Sequence, residues 1–123
     1  MLAKKSDYLL SLYSSIIVPK KIILALKKFA LNLHPGILPF YPGLNCVSGA
    51  IYHDEKFSGI SIHKMIDKID SGDIVFTKKI KILKKETALS LMEKLKILSI
   101  KSFEPFLIKS NYLENIKIKK NII

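Results

Sequence analysis

From His34 to Gly43 the chain reads His-Pro-Gly-Ile-Leu-Pro-Phe-Tyr-Pro-Gly, and three prolines with two glycines exclude helix and sheet from those ten residues. Proline brings no backbone donor, and glycine favours turns. The segment is therefore a loop with a prescribed path, and regular structure must stop and restart at its two ends. Before it, Phe29 to Leu33 is a short apolar run that reads as a strand, leaving Asn32 and His34 at its carboxyl end. After it, Asn45 is placed to cap a helix running to about Tyr52.

The remaining elements follow from periodicity. Tyr8 to Leu12 is apolar without alternation, the pattern of a strand covered on both faces. Pro19 opens a helix in which Ile22, Ile23 and Leu26 recur at helical spacing through Lys28. With the strand at Phe29 this makes a strand-helix-strand unit, hence a parallel pair with a right-handed crossover. A polar turn at His53 to Lys56 precedes a strand from Ser58 to Met65, a loop from Asp67 to Gly72 and a strand from Ile74 to Ile82. Thr87 is an expected N-cap for a long helix that aligns Leu91, Leu95 and Leu98, with a bend or break near Glu104-Pro105. The tail Ile116 to Ile123 reads as an edge strand or a frayed end. The fold class is α/β: one domain over residues 1–123.

Charge and cysteine content narrow the function classes. The net charge is +11, yet all 21 basic residues are lysine. Arginine makes the forked contacts to phosphates and bases, so a lysine-only excess reads as solvated surface rather than a nucleic-acid patch. Cys46 is the single cysteine, which excludes an internal disulfide and a thiolate metal cluster. His34, His53 and His63 show no metal-ligand spacing. The apolar run after Lys4 and Lys5 imitates a signal peptide but is interrupted by Asp7, Ser14 and Ser15. No apolar run approaches the ~20 residues a membrane helix needs. A soluble cytoplasmic protein without membrane contact is expected.

In open α/β sheets, ligands bind outside the carboxyl ends of strands. Asn32 and His34 sit at such an end and Asp70 lies in the loop after another strand, so three polar residues converge where the fold offers a site. Two dense motifs sharpen this: Asn32-Leu33-His34-Pro35-Gly36-Ile37-Leu38-Pro39 with Tyr41-Pro42-Gly43, then Ile69-Asp70-Ser71-Gly72-Asp73-Ile74. Together, at this separation, they resemble the signature of the folate-dependent formyltransferases, over about residues 7–110, with 111–123 a tail.

The resemblance implies a Rossmann-like formyltransferase fold, here as a partial mixed sheet flanked by helices, and transfer of a formyl group from 10-formyltetrahydrofolate to an amine, without a metal. It assigns Asn32, His34 and Asp70 as the catalytic set. Asn32 would donate to the oxyanion, His34 would stabilise it or relay the proton, and Asp70 would favour the charged imidazole and help move the amine proton. The folate pocket would be lined by Ser14 to Ile17, hence Ser15, Ile16 and Ile17, and by Met65, Ile66, Asp67, Lys68 and Ile69 in the loop to Asp70. Pro35 and Gly43 would support His34, and His63 would be a partner near the site. The expected acceptor is a nucleotide-linked amino sugar, then glycinamide ribonucleotide, then methionyl-tRNA. Asp73 reads as structural, His53 as a surface-turn residue, and Cys46 as a small buried residue opening a helix.

The family's first strand-helix units have no counterpart before Tyr8. The chain is thus expected to be the C-terminal part of a catalytic domain, to self-associate or need a separate N-terminal half, and to turn over no substrate alone. Two other readings stand beside this one. The first is a truncated, non-catalytic remnant that binds folate or serves in interaction, and the second is a lysine-rich nucleic-acid binder. The survival of Asn32, His34 and Asp70 argues against decay, and the scattered lysines argue against the binder.

Overall fold

The computed structural model describes residues 6–109, so the tail at 111–123 lies outside the described residues. The elements run β1 (Tyr8–Leu12), α1 (Lys20–Ala25), β2 (Phe29–His34), α2 (Cys46–Tyr52), β3 (Phe57–Lys64), β4 (Ile74–Lys81) and α3 (Ala88–Lys109). The strands form one sheet in the order β1-β2-β3-β4. β1 and β2 are parallel, as the strand-helix-strand pattern predicts, while β2 with β3 and β3 with β4 are antiparallel. The sheet is therefore mixed, as expected.

Period-2 alternation turns Leu31 and Leu33 of β2, and Ile60 and Ile62 of β3, into one apolar layer. These residues form the core with Cys46, Val47 and Ala50 of α2 and Leu91, Leu95 and Phe106 of α3. Leu91 and Leu95 are completely buried, so truncating either to alanine should cost about 2–5 kcal/mol. Thr87 caps α3 as predicted: its Oγ1 accepts from Ser90 N–H at 3.1 Å, while Ser90 Oγ accepts from Thr87 N–H at 2.9 Å. Serine here fills the reciprocal position that glutamate usually holds in a capping box.

Four expectations need correction. β1 is not covered on both faces: it is an edge strand in which only Ser11 is buried, with Leu10 and Leu12 exposed at 41% and 48%. α1 stops at Ala25 rather than Lys28, because Lys27 N–H bonds to Ser6 O at 3.2 Å and Lys28 N–H to Asp7 O at 2.9 Å, drawing those residues toward β1. Asn45 stands at the N-cap of α2 but in the left-handed conformation (φ 60), and its side chain makes no capping bond. Its carbonyl holds the first turn instead, accepting from Gly49 N–H at 2.7 Å. Finally, α3 runs through Pro105 without a break. Phe106 is buried in the core and Phe103 and Leu107 pack against it, so apolar burial on both sides of Pro105 outweighs the missing donor, worth about 3 kcal/mol.

Candidate active site

With Leu31 and Leu33 turned to the core, Asn32 and His34 emerge on the opposite face of β2. Antiparallel register then sets Asn32 opposite His63 and His34 opposite Ser61, placing four polar side chains on one patch of sheet. Ser61 is completely buried and controls the proline-rich loop. Its Oγ donates to Gly36 O at 2.7 Å and accepts from Leu38 N–H at 3.0 Å. The loop folds back so that Tyr41 O lies 2.6 Å from His34 Nε2. Gly36 has no room for a side chain here, since a Cβ would fall 2.9 Å from His34 Nε2 and 3.0 Å from Tyr41 O.

Asp70 is fixed by backbone on both sides. It occupies the left-handed region at φ 50, and its Oδ2 accepts from Gly43 N–H at 2.7 Å. Two residues on, Gly72 lies so close to Lys64 O that any Cβ would collide with it. Lys64 N–H also bonds to Asp73 O at 2.9 Å. These contacts clamp the turn onto the end of β3, and Asp73 takes part through its main chain.

The result is a carboxylate between two imidazoles. Asp70 Oδ2 lies 3.5 Å from His34 Nδ1, and Asp70 Oδ1 lies 3.2 Å from His63 Nε2. The side chains are 5%, 3% and 8% exposed for His34, His63 and Asp70, so little water screens them. Hydrogen-bond chemistry restricts the protons. A carbonyl only accepts, so His34 Nε2 donates to Tyr41 O, and His63 Nδ1, 2.9 Å from Lys64 O, donates there. His34 Nδ1 pairs with Asp70 when it carries a second proton. His63 Nε2 also lies 3.1 Å from Asn32 Nδ2. It either accepts from that amide or, once protonated, donates to Asp70. Two such neighbouring choices, each one proton apart, are what a proton relay requires.

A cavity of about 480 Å³ opens beside this set. Asn32, His34, His63 and Asp70 border it together with Pro35 and Gly43. Ser15, Ile16 and Ile17 line one wall, and Met65, Ile66, Asp67, Lys68 and Ile69 another, so every site residue named from the sequence meets the same space. An apolar cleft with a few convergent polar groups, within the ~300–1,000 Å³ of small-molecule sites, has the character of a small-molecule site. Asp67, at the cavity wall, pairs with Lys20 at 3.3 Å, but both are largely exposed and the pair is weak. His53 follows α2 and is not part of the cavity wall.

Other residues of the site were not read from the sequence. Tyr13, Leu44, Asn45, Val47 and Met92 also border the cavity, as does Cys46. Cys46 opens α2 as expected, and its Sγ donates to Pro35 O at 2.9 Å. Burial raises its thiol pKa above the usual value. Ser61 could have been found: alternation along Ile60, Ser61, Ile62, His63 places it on the face of His63. Among the described residues, no group of three or more His, Cys, Asp or Glu side chains is arranged to hold a metal ion, and no helix is long and apolar enough to cross a membrane.

Comparison with known proteins accords with this geometry. The profile of the family described as Formyl transferase matches residues 3–103. GDP-perosamine N-formyltransferase of Brucella melitensis is 33% identical over 88 residues, 72% of this chain and 34% of that protein. Methionyl-tRNA formyltransferase of Prochlorococcus marinus is 35% identical over 103 residues, 82% of this chain and 31% of that protein. The chain thus spans about a third of the length of these two relatives. Among solved structures, a 4-N formyltransferase from Francisella tularensis superposes with a TM-score of 0.81 at 24% identity, covering 93% of this chain and 45% of that one. A sugar N-formyltransferase from Shewanella gives 0.74 at 26% identity, covering 82% and 40%.

Proposed function

The chain belongs to the formyl transferase family, and on that premise we propose that its cavity carries formyl transfer from 10-formyltetrahydrofolate to an amine, with Asn32, His34 and Asp70 as the catalytic residues. The observation that carries this reading is the Asp70 carboxylate held 3.5 Å from His34 Nδ1 and 3.2 Å from His63 Nε2 at the wall of a largely apolar cavity. The formyl donor supplies an electrophilic carbon whose oxygen gains negative charge as the amine attacks, while the amine nitrogen gains positive charge. Asn32 has two amide hydrogens, and with one directed at His63 the other is free to stabilise that oxygen, a contribution of about 3 kcal/mol. Asp70 takes the amine proton while His34 balances the charge from Nδ1; collapse of the oxyanion then breaks the bond from the formyl carbon to the donor nitrogen, which leaves as tetrahydrofolate carrying the proton that Asp70 returns. Because Nε2 is tied to Tyr41 O, His34 reads better as the partner of Asp70 in proton relay than as a direct oxyanion donor. His63 Nε2 orients Asn32 when it accepts from the amide and Asp70 when it carries a proton.

The walls at Ser15 to Ile17 and Met65 to Ile69 would hold the folate head between aliphatic side chains and backbone groups. For the acceptor we favour a nucleotide-linked amino sugar, supported by the GDP-perosamine relative; glycinamide ribonucleotide and then methionyl-tRNA follow. The same reading assigns the protein to the cytoplasm, where a free thiol such as Cys46 stays reduced.

The test is titration of the chain with 5-formyltetrahydrofolate, a stable analogue of the donor, followed by assay with the donor itself and each acceptor class. Saturable binding in wild type that is weakened in Asp70→Ala is expected. No saturable binding of the analogue by wild type, or binding unaltered in Asp70→Ala, would overturn the reading.

A further inference from the structure

Tyr13 is half-buried at the point where the chain leaves β1, in the left-handed region at φ 52. Non-glycine residues adopt this conformation only when their surroundings impose it. Two attachments do so: the ring packs against the core, and the hydroxyl lies 2.9 Å from Ser99 Oγ on α3, 86 residues away. Ser99 is itself buried, and its single hydrogen goes to Leu95 O at 2.7 Å. Tyr13 must therefore be the donor to Ser99. Burial raises the phenol pKa above its usual value, so the donor keeps its proton at neutral pH.

The wall that follows is otherwise lightly held. Tyr13 N–H reaches Leu33 O only at 3.5 Å, and the next amide bond, Ile16 N–H to Ser14 Oγ at 3.1 Å, is local. Ile16 and Ile17 are 76% and 68% exposed although both border the cavity. We infer that the Tyr13 hydroxyl, anchored on Ser99 of α3, is a positioning group that sets the path of residues 14–17 as one wall of the cavity. The inference rests on the formyltransferase reading for the identity of the ligand only; the anchoring of the wall stands on these contacts alone. Tyr13 touches no reacting atom in this role. It fixes the distance between the wall and Asn32, and so acts on ligand affinity rather than on chemistry.

Tyr13→Phe removes the donor and leaves the ring packing. Hydrogen exchange of residues 14–18 should accelerate while exchange in β2 and β3 stays as in wild type. Affinity for 5-formyltetrahydrofolate should fall about 3- to 10-fold, the scale of one neutral hydrogen bond. In a turnover assay the loss should fall on KM for the formyl donor rather than on kcat. Ser99→Ala removes the acceptor and should reproduce these effects, which keeps the test open if Tyr13→Phe folds poorly. Unchanged exchange of residues 14–18 in both variants would overturn the inference, as would accelerated exchange with unaltered affinity. If wild type itself fails to bind the probe, the formyltransferase reading falls, and the exchange measurement still decides whether Tyr13 anchors the wall.

Discussion

Gly43 N–H donates to Asp70 Oδ2 at 2.7 Å, joining two loops 27 residues apart in sequence. The proline-rich loop is pinned from below by Ser61 and closes over His34; this bond fastens its far end to the carboxylate that His34 faces. Backbone rather than flexible side chain thus sets the distance between His34 and Asp70. Fixed distances of this kind let an acid-base pair act without reorganising.

From this follows the first prediction. In protein that shows formyl transfer, His34→Ala and Asp70→Ala should each lower kcat by about 10²- to 10⁴-fold, the usual range for losing a positioned acid-base group. Circular dichroism should show the same secondary structure in both variants. Near-wild-type turnover in either one would show that the pair does not carry the chemistry.

Ser61→Ala should destabilise the protein although it removes a single atom. It leaves Leu38 N–H without its acceptor and Gly36 O without its donor, at a position with no access to water. Leaving such groups unpaired costs about 1–3 kcal/mol each. A lowered midpoint in urea, with a slope like that of wild type, is the expected result. A midpoint equal to wild type would mean that water or a rearranged loop satisfies both groups.

Cys46 should react slowly. Burial raises its thiol pKa, and the Sγ proton is engaged with Pro35 O, so the thiolate is scarce at neutral pH and appears only as pH climbs above the ordinary thiol range. Iodoacetamide should modify the native protein far more slowly at pH 7 than the urea-unfolded chain. Equal rates would mean that the start of α2 opens readily.

These residues also show how far the sequence can be read. The places of Asn32, His34 and Asp70 were legible because local rules apply to them: a strand end, a loop that proline and glycine forbid from folding regularly, and a turn; their grouping as one set came from the resemblance of the two motifs. The face that Ser61 occupies follows from alternation along β3, but its bond to Gly36 does not, and Tyr13 was not legible at all, because each acts through a partner distant in sequence, Gly36 or Ser99. The length of α1 failed for the same reason, since Lys27 and Lys28 bond to Ser6 and Asp7 rather than continuing the helix. The cover over β1 was misread because composition reports what a strand can bury, not which neighbours it finds.

That misreading leads to the last prediction. The sheet has two edges, and they differ in kind. β4 carries Lys78, Lys79 and Lys81, all exposed, and charged edge residues oppose pairing with a second chain. β1 reads Tyr-Leu-Leu-Ser-Leu, with Leu10 and Leu12 exposed and no charge in the strand. Among the described residues, nothing pairs with its outer side. An uncharged apolar edge is a template for strand addition, so the 123-residue chain should self-associate, with a light-scattering mass that rises with concentration. Leu10→Lys gives β1 the same protection as β4 and should lower that mass, while leaving hydrogen exchange in β2 and β3 as it was. A wild-type chain that stays monomeric across the whole concentration range would show that this edge is protected by something other than the described residues.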